Sequence, residues 1–148
     1  MNQWICYGLV CDNEKGKIIK IPKNPHNGYN ASCNNKESWS DYNTAVNAVK
    51  RYGFNGIGFE LDNGIVGVDL DDALDENGKL TKDADDIVEA LDSYTEISPS
   101  GKGLHIFCKG KLPPGRRRKG NIELYSSNRF FTVTGNIYGQ NREIEERS

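Results

Sequence analysis

Three short segments carry the residues of this chain best suited to chemistry: Val68-Asp69-Leu70-Asp71, Ser100-Gly101-Lys102-Gly103-Leu104-His105 and Ile122-Glu123-Leu124. Each lies in or beside an apolar run of strand length. Alternate side chains of a strand point the same way, so Asp69 and Asp71 project together while Val68 and Leu70 turn to the core. Two neighbouring carboxylates repel, and burying both is costly unless a cation compensates. Oxygen donors of this kind favour Mg²⁺ or Mn²⁺ over zinc. Glu123, a charge set between Ile122 and Leu124, offers a third carboxylate from another strand, the set used in two-metal phosphoryl chemistry. Asp72 follows on the opposite face or in the next loop and is an alternate, not a first choice. The plainer alternative is that these acids end strands and open solvated loops.

His105 alternates with Leu104 and Ile106 and so points away from the core face of its strand. The loop before it, Ser98 to Gly103, is small and rich in donors. Its glycines, Gly101 and Gly103, let backbone amides approach phosphate oxygens, with Ser100 beside them and Lys102 as a point charge. The spacing is not that of a Walker A loop. No histidine stands two residues from His105, which removes the paired-histidine motif of rolling-circle nucleases. With only His26 elsewhere, a serine triad has no support. Two basic features flank the third segment. Arg116-Arg117-Arg118-Lys119 reads as a charged loop able to grip nucleic-acid phosphates or simply to face water. Arg129, before the apolar run Phe130 to Val133, is a further phosphate contact or a surface arginine.

The bulk composition bounds these readings. At 148 residues with 36% hydrophobic and 27% charged residues, a single soluble domain of residues 1–148 is the expectation. The 19 Lys and Arg against 21 Asp and Glu give a net charge of −2, so any nucleic-acid surface must be local. Cys6, Cys11, Cys33 and Cys108 form no Cys-x-x-Cys pair, which argues against a zinc site. No signal peptide or membrane-length apolar run is evident, and a cytoplasmic location with reduced thiols is the default.

The elements that must position these residues can be read from periodicity. Trp4 to Val10 and Ile18 to Ile21 read as strands joined by a polar turn, and Pro22 to Asn35 as a loop. A helix follows with Ser40 as N-cap, an apolar stripe of Tyr42, Ala45, Val46 and Val49, and Gly53 at its end. Ile57 to Leu61 and Ile65 to Leu70 flank Asp62-Asn63-Gly64, a hairpin signal. Ala84, Ile87, Val88 and Leu91 mark a second helix with acids in its first turn. Strands are expected at Leu104 to Cys108, Asn121 to Tyr125 and Phe130 to Thr134. The sum is an α+β domain, a mostly antiparallel sheet with helices on one side. The polar stretch Gln140 to Ser148 suggests a domain excised from something longer.

Taken in order, the motifs resemble the archaeo-eukaryotic primase superfamily, in particular the primase-polymerase domains of phages and plasmids. The family pattern is a strand Asp-x-Asp, then small-x-His, then hydrophobic-Asp/Glu, met here by Asp69-Leu70-Asp71, Gly103-Leu104-His105 and Ile122-Glu123. The phrases Gly67 to Asp72 and Ser98 to His105 also look like phage members. The resemblance covers roughly residues 4 to 136 and is weaker before residue 56, where Lys20-Ile21-Pro22 and Trp39 fit the layout without defining it. It implies a primase-polymerase fold in which Asp69, Asp71 and Glu123 hold Mg²⁺ or Mn²⁺ and His105 contacts the triphosphate of an incoming nucleotide. It further implies nucleotidyl transfer from (d)NTP to a 3′-hydroxyl on single-stranded DNA, with a helicase or helical primase domain elsewhere in the parent protein. Glu stands where many relatives have Asp, and Gly103 offers no hydroxyl before the histidine; Ser100 is the substitute. A metal-dependent nuclease and a non-catalytic nucleic-acid-binding module are the alternatives.

Overall fold

Apolar alternation in the N-terminal segment produces a long antiparallel hairpin. β1 (Trp4–Asp12) pairs with β2 (Lys17–Lys23) from Cys6↔Lys23 to Asp12↔Lys17, and with β3 (Gly56–Glu60) on its other side, Trp4 opposite Phe59. The computed structural model describes residues 2–14, 16–110, 117–127 and 129–147, and the chain divides into two compact units, Met1–Glu60 and Leu61–Ser148. Both predicted strands of the hairpin run further than their apolar cores, because main-chain pairing continues through Asp12 and Lys23. In the first unit α1 (Tyr42–Tyr52) packs Ala45 and Ala48 against Cys6, with Val49 partly buried beside them. Tyr42 is exposed and meets Trp4 edge to face at 5.1 Å.

The helix start differs from expectation by one residue. Asp41, not Ser40, is the N-cap, its carboxylate accepting from the Thr44 amide at 2.7 Å. Ser40 cannot serve, because its own amide and carbonyl are bonded to Trp4. Gly53 closes the helix with φ 71°, a left-handed conformation that glycine adopts at little cost.

The Asp62-Asn63-Gly64 turn forms, with Asn63 and Gly64 both at positive φ and the Ile65 amide bonded to the Asp62 carbonyl. It does not close the expected hairpin. β3 pairs with β1, whereas β4 (Ile65–Leu70) pairs with strands of the second unit. The single expected sheet is thus two antiparallel sheets.

The second unit continues with α2 (Lys82–Leu91), β5 (Thr95–Ile97), β6 (Leu104–Lys109), β7 (Arg117–Lys119), β8 (Ile122–Tyr125) and β9 (Phe130–Val133). Its five-stranded sheet has the order β5-β6-β4-β8-β7, with every neighbouring pair antiparallel. One face carries Val68, Leu70, Leu104, Ile106 and Cys108, packed with Ala84, Ile87, Val88 and Leu91 of α2. Thr81 caps that helix by accepting from the Ala84 amide, and Asp83 and Asp85 lie in its first turn, where the helix dipole favours acids. Burial of Leu104 and Ile106, both fully inside, contributes roughly 1.5–3 kcal/mol each. β5 and β7, three residues each, were too short to announce themselves by alternation.

The basic segment expected as a loop is therefore in part a strand. The backbone of Arg117–Lys119 returns on β8 through Gly120-Asn121, with Gly120 at φ 60° and Lys119 paired to Ile122. Charged residues suit the outermost strand of a sheet, where they discourage edge-to-edge association. Arg116 lies outside the described residues.

Candidate metal and nucleotide site

Strand register brings three of the predicted residues, Asp69, His105 and Glu123, onto one line. Asp69 of β4 pairs with His105 of β6 on one side and with Glu123 of β8 on the other. His105 in turn pairs with Glu96 of β5, and the backbone of Arg118 lies opposite Glu123. Directly opposed residues of an antiparallel sheet share a face, with Cβ atoms about 4.5–5.5 Å apart. Glu96, His105, Asp69 and Glu123 therefore form a row of ionisable groups across four adjacent strands, on the face opposite the α2 core.

Glycine makes room for what covers this face. A Cβ on Gly67 would stand 2.6 Å from Phe131 Cε2 and 2.7 Å from Leu61 Cδ1, so the Phe131 ring rests where a side chain would otherwise be. That ring lies 4.7 Å from the His105 ring, 5.8 Å from Phe107 and 6.0 Å from Tyr125. His105 is only 6% exposed in consequence. Its Nδ1 lies 3.3 Å from the Thr132 carbonyl and its Nε2 3.6 Å from Asp69 Oδ1. A carbonyl only accepts, so a bond there puts the proton on Nδ1; Nε2 can then donate towards Asp69 only in the doubly protonated ring.

The carboxylates differ in setting. Glu123 is 8% exposed and accepts from the Tyr125 hydroxyl at 2.5 Å. Asp69 is half-buried, and Asp71 is exposed one residue past the end of β4, where its amide still bonds to the Asn121 carbonyl at 2.9 Å. Asp72 follows in the left-handed backbone region, at φ 52°. A depression of about 200 Å³ at this strand end is lined by Asp71, Asp72, Thr81, Asp83 and Asn121 among others, and does not include Asp69 or Glu123. Among the described residues, no three His, Cys, Asp or Glu side chains converge closely enough to hold one metal ion. Asp69 and Glu123 do fit a hard divalent cation in donor type and neighbourhood. Such ions bind commonly through one or two carboxylates, with water and substrate phosphates completing the shell.

The Ser98–Gly103 loop is folded on itself. The Gly101 amide donates to the Ser98 carbonyl, the Lys102 amide to Ser100 Oγ and the Gly103 amide to Ser98 Oγ. The amides expected to face phosphate are thus engaged within the loop. Gly103 has a steric reason of its own: a Cβ there would meet the Leu70 carbonyl oxygen at 2.8 Å. Arg129 is exposed, and its guanidinium sits 4.7 Å above the Tyr125 ring.

Two members of this neighbourhood had no sequence-based expectation attached. Glu96 is wholly buried and accepts from the Thr134 amide at 2.8 Å, the Gly135 amide at 3.0 Å and the Tyr94 hydroxyl at 2.5 Å, an anchor for the chain after β9. Tyr125, two residues after Glu123 on one strand, shares its face by simple alternation and was legible in principle. No disulfide joins the four cysteines, and burial pushes the Cys6 thiol up to about 11 and that of Cys108 upward as well. No helix among the described residues is long and apolar enough to cross a membrane.

No protein-family model matches the chain. A curated relative, the DNA primase-polymerase of Nitratiruptor phage NrS-1, is 38% identical over 153 aligned residues, covering 97% of this chain. The chain spans about a fifth of that relative's length, 20%. Over nearly all of its residues, then, the chain is similar to one portion of a phage DNA primase-polymerase.

Proposed function

We propose that this chain is the catalytic domain of a phage-type DNA primase-polymerase, a member of the archaeo-eukaryotic primase superfamily acting on single-stranded DNA and nucleoside triphosphates. The observation that carries the reading is the directly paired register of His105, Asp69 and Glu123 on one sheet face, in a chain similar to a protein of that name. Asp69 and Glu123 would hold Mg²⁺ or Mn²⁺, and Asp71, one residue past the end of β4, is assigned as the third carboxylate of the set. When bound, the cations supply a more acidic 3′-hydroxyl and neutralise charge on the triphosphate and departing pyrophosphate.

The remaining work falls to the chain. His105 is assigned to the triphosphate of the incoming nucleotide through Nε2, the ring nitrogen on the Asp69 side, since Nδ1 lies against the Thr132 carbonyl. Lys102, Ser100 and Gly103 border the strand that carries it and steady the β- and γ-phosphates, chiefly through the Lys102 charge, since the loop amides are engaged. Arg129 adds a second cation above Tyr125. Arg116, Arg117, Arg118 and Lys119 are assigned to template or primer phosphates. Alignment of the 3′-hydroxyl with the α-phosphate and fixed electrostatics provide most of the rate. A helicase or helical primase domain in the parent protein would complete priming.

Primer synthesis and extension on single-stranded DNA with Mg²⁺ or Mn²⁺, comparing this chain with Asp71→Ala, tests the proposal. Metal-dependent products lost in the variant support it. Template degradation requiring Asp71, without extension, would instead establish a nuclease. Neither activity, with DNA affinity that ignores Asp69→Asn, would leave a binding module.

A further inference from the structure

Tyr125 is the residue on the site face whose two ends both engage charged groups. Its hydroxyl donates to Glu123 Oε2 at 2.5 Å. The ring is 6% exposed, held edge-on by Phe131 at 6.0 Å and 80°, and roofed by the Arg129 guanidinium at 4.7 Å. A carboxylate on a two-carbon stem has several rotamers, and each must be given up before it can coordinate a cation. A hydroxyl fixed by a packed ring selects one of them before any cation arrives. Because tyrosine and glutamate are two apart on one strand, the bond needs no distortion of the backbone.

We infer that Tyr125 is a positioning residue for the metal site, its hydroxyl orienting Glu123 through Oε2 while its ring face holds Arg129 alongside. The inference rests on the reading of Asp69 and Glu123 as metal ligands and assigns a role to a residue that no ligand motif contains. Removing the hydroxyl weakens cation binding through Glu123; it does not remove a ligand. Outer groups that orient metal-binding carboxylates typically account for roughly tenfold or more in affinity.

The test is Mn²⁺ binding to the protein, by calorimetry or by the electron-spin signal of free Mn²⁺, for the unaltered chain, Asp69→Asn, Glu123→Gln and Tyr125→Phe. The expected result is binding that is abolished by the first two changes and weakened roughly tenfold by Tyr125→Phe. The Mn²⁺ concentration giving half-maximal primer extension should rise by the same factor, with the rate at saturating Mn²⁺ within about twofold of the unaltered chain. Glu123→Asp provides the second arm, since its shorter stem gives up the Tyr125 bond. Adding Tyr125→Phe to Glu123→Asp should change Mn²⁺ affinity by less than about twofold, as expected of two changes acting through one contact. A full tenfold loss in that background would overturn the inference and make Tyr125 structural only. So would Mn²⁺ affinity in Tyr125→Phe equal to that of the unaltered chain while Glu123→Gln abolishes binding. Binding that ignores Asp69→Asn and Glu123→Gln would overturn the metal-site reading itself.

Discussion

Replacing Gly67 by alanine is expected to cost stability although it adds only one methyl group. The new Cβ would lie 2.6 Å from Phe131 Cε2 and 2.7 Å from Leu61 Cδ1, about an ångström inside the optimal carbon–carbon separation of about 3.5–4 Å. Overpacking of this kind costs about 1–3 kcal/mol. Against it stands the lower entropy of the unfolded alanine chain, up to about 1 kcal/mol in favour of folding. The net loss is about 1–2 kcal/mol. Both Phe131 and Leu61 must give way, and Phe131 touches His105, Phe107 and Tyr125, so part of the strain passes into the site face. Urea denaturation followed by far-UV circular dichroism should show the midpoint falling by about 0.5–1 M. Phe131→Leu vacates the ring's position, so the double variant should be more stable than the sum of the two losses by about 1 kcal/mol. A midpoint for Gly67→Ala at or above that of the unaltered chain, or strictly additive losses, would refute the packing argument.

Other consequences can be measured with the same preparations. Glu96→Ala strips the Thr134 and Gly135 amides of a buried acceptor and should cost about 3 kcal/mol in urea unfolding; a loss below about 1 kcal/mol would show that the anchor is dispensable. The Cys6 thiol, raised by burial from 9.0 to about 11, stays protonated in the fold while its unfolded counterpart ionises. Its contribution is complete below pH 9 and is lost as pH rises towards 11, by on the order of 2–3 kcal/mol, with Cys108 and Tyr7 shifted in the same direction. A Cys6→Ala chain should show a flatter stability profile across that window. Arg117→Glu should weaken single-stranded DNA binding and lower the slope of log affinity against log salt by about 0.7; an unchanged affinity would remove the basic strand from the DNA path.

The parts of the architecture that were legible in the sequence are those with long, regular periodicity. Val68 to Leu70 and Leu104 to Ile106 alternate clearly, and both helices show an apolar stripe, so their positions follow from the residues alone, although the buried face of α1 runs through Ala45, Ala48 and Val49 and leaves Tyr42 exposed. Strand pairing was not legible. Asn63-Gly64 has the chemistry of a hairpin turn and adopts it, yet the strands on either side take other partners, because pairing is decided by long-range packing and not by the turn. Ser40 was a sound N-cap by type, and Asp41 displaced it because Trp4 claims the Ser40 backbone. Asp69, His105 and Glu123 were legible as candidate residues but not as a row. That Asp69 lies between His105 and Glu123, and that Phe131 roofs the histidine through the gap at Gly67, depends on register that no local pattern encodes.

The central claim is that Asp69 and Glu123 form the heart of a nucleotidyl-transfer site. Its most direct measurement is Mn²⁺-dependent incorporation of nucleotide onto a primed single-stranded template by the unaltered chain, Asp69→Asn and Glu123→Gln, each first shown to be folded. The account predicts extension by the unaltered chain and a loss of roughly a hundredfold or more in either variant, the scale of removing an essential electrostatic group. Extension that persists in both folded variants would contradict it.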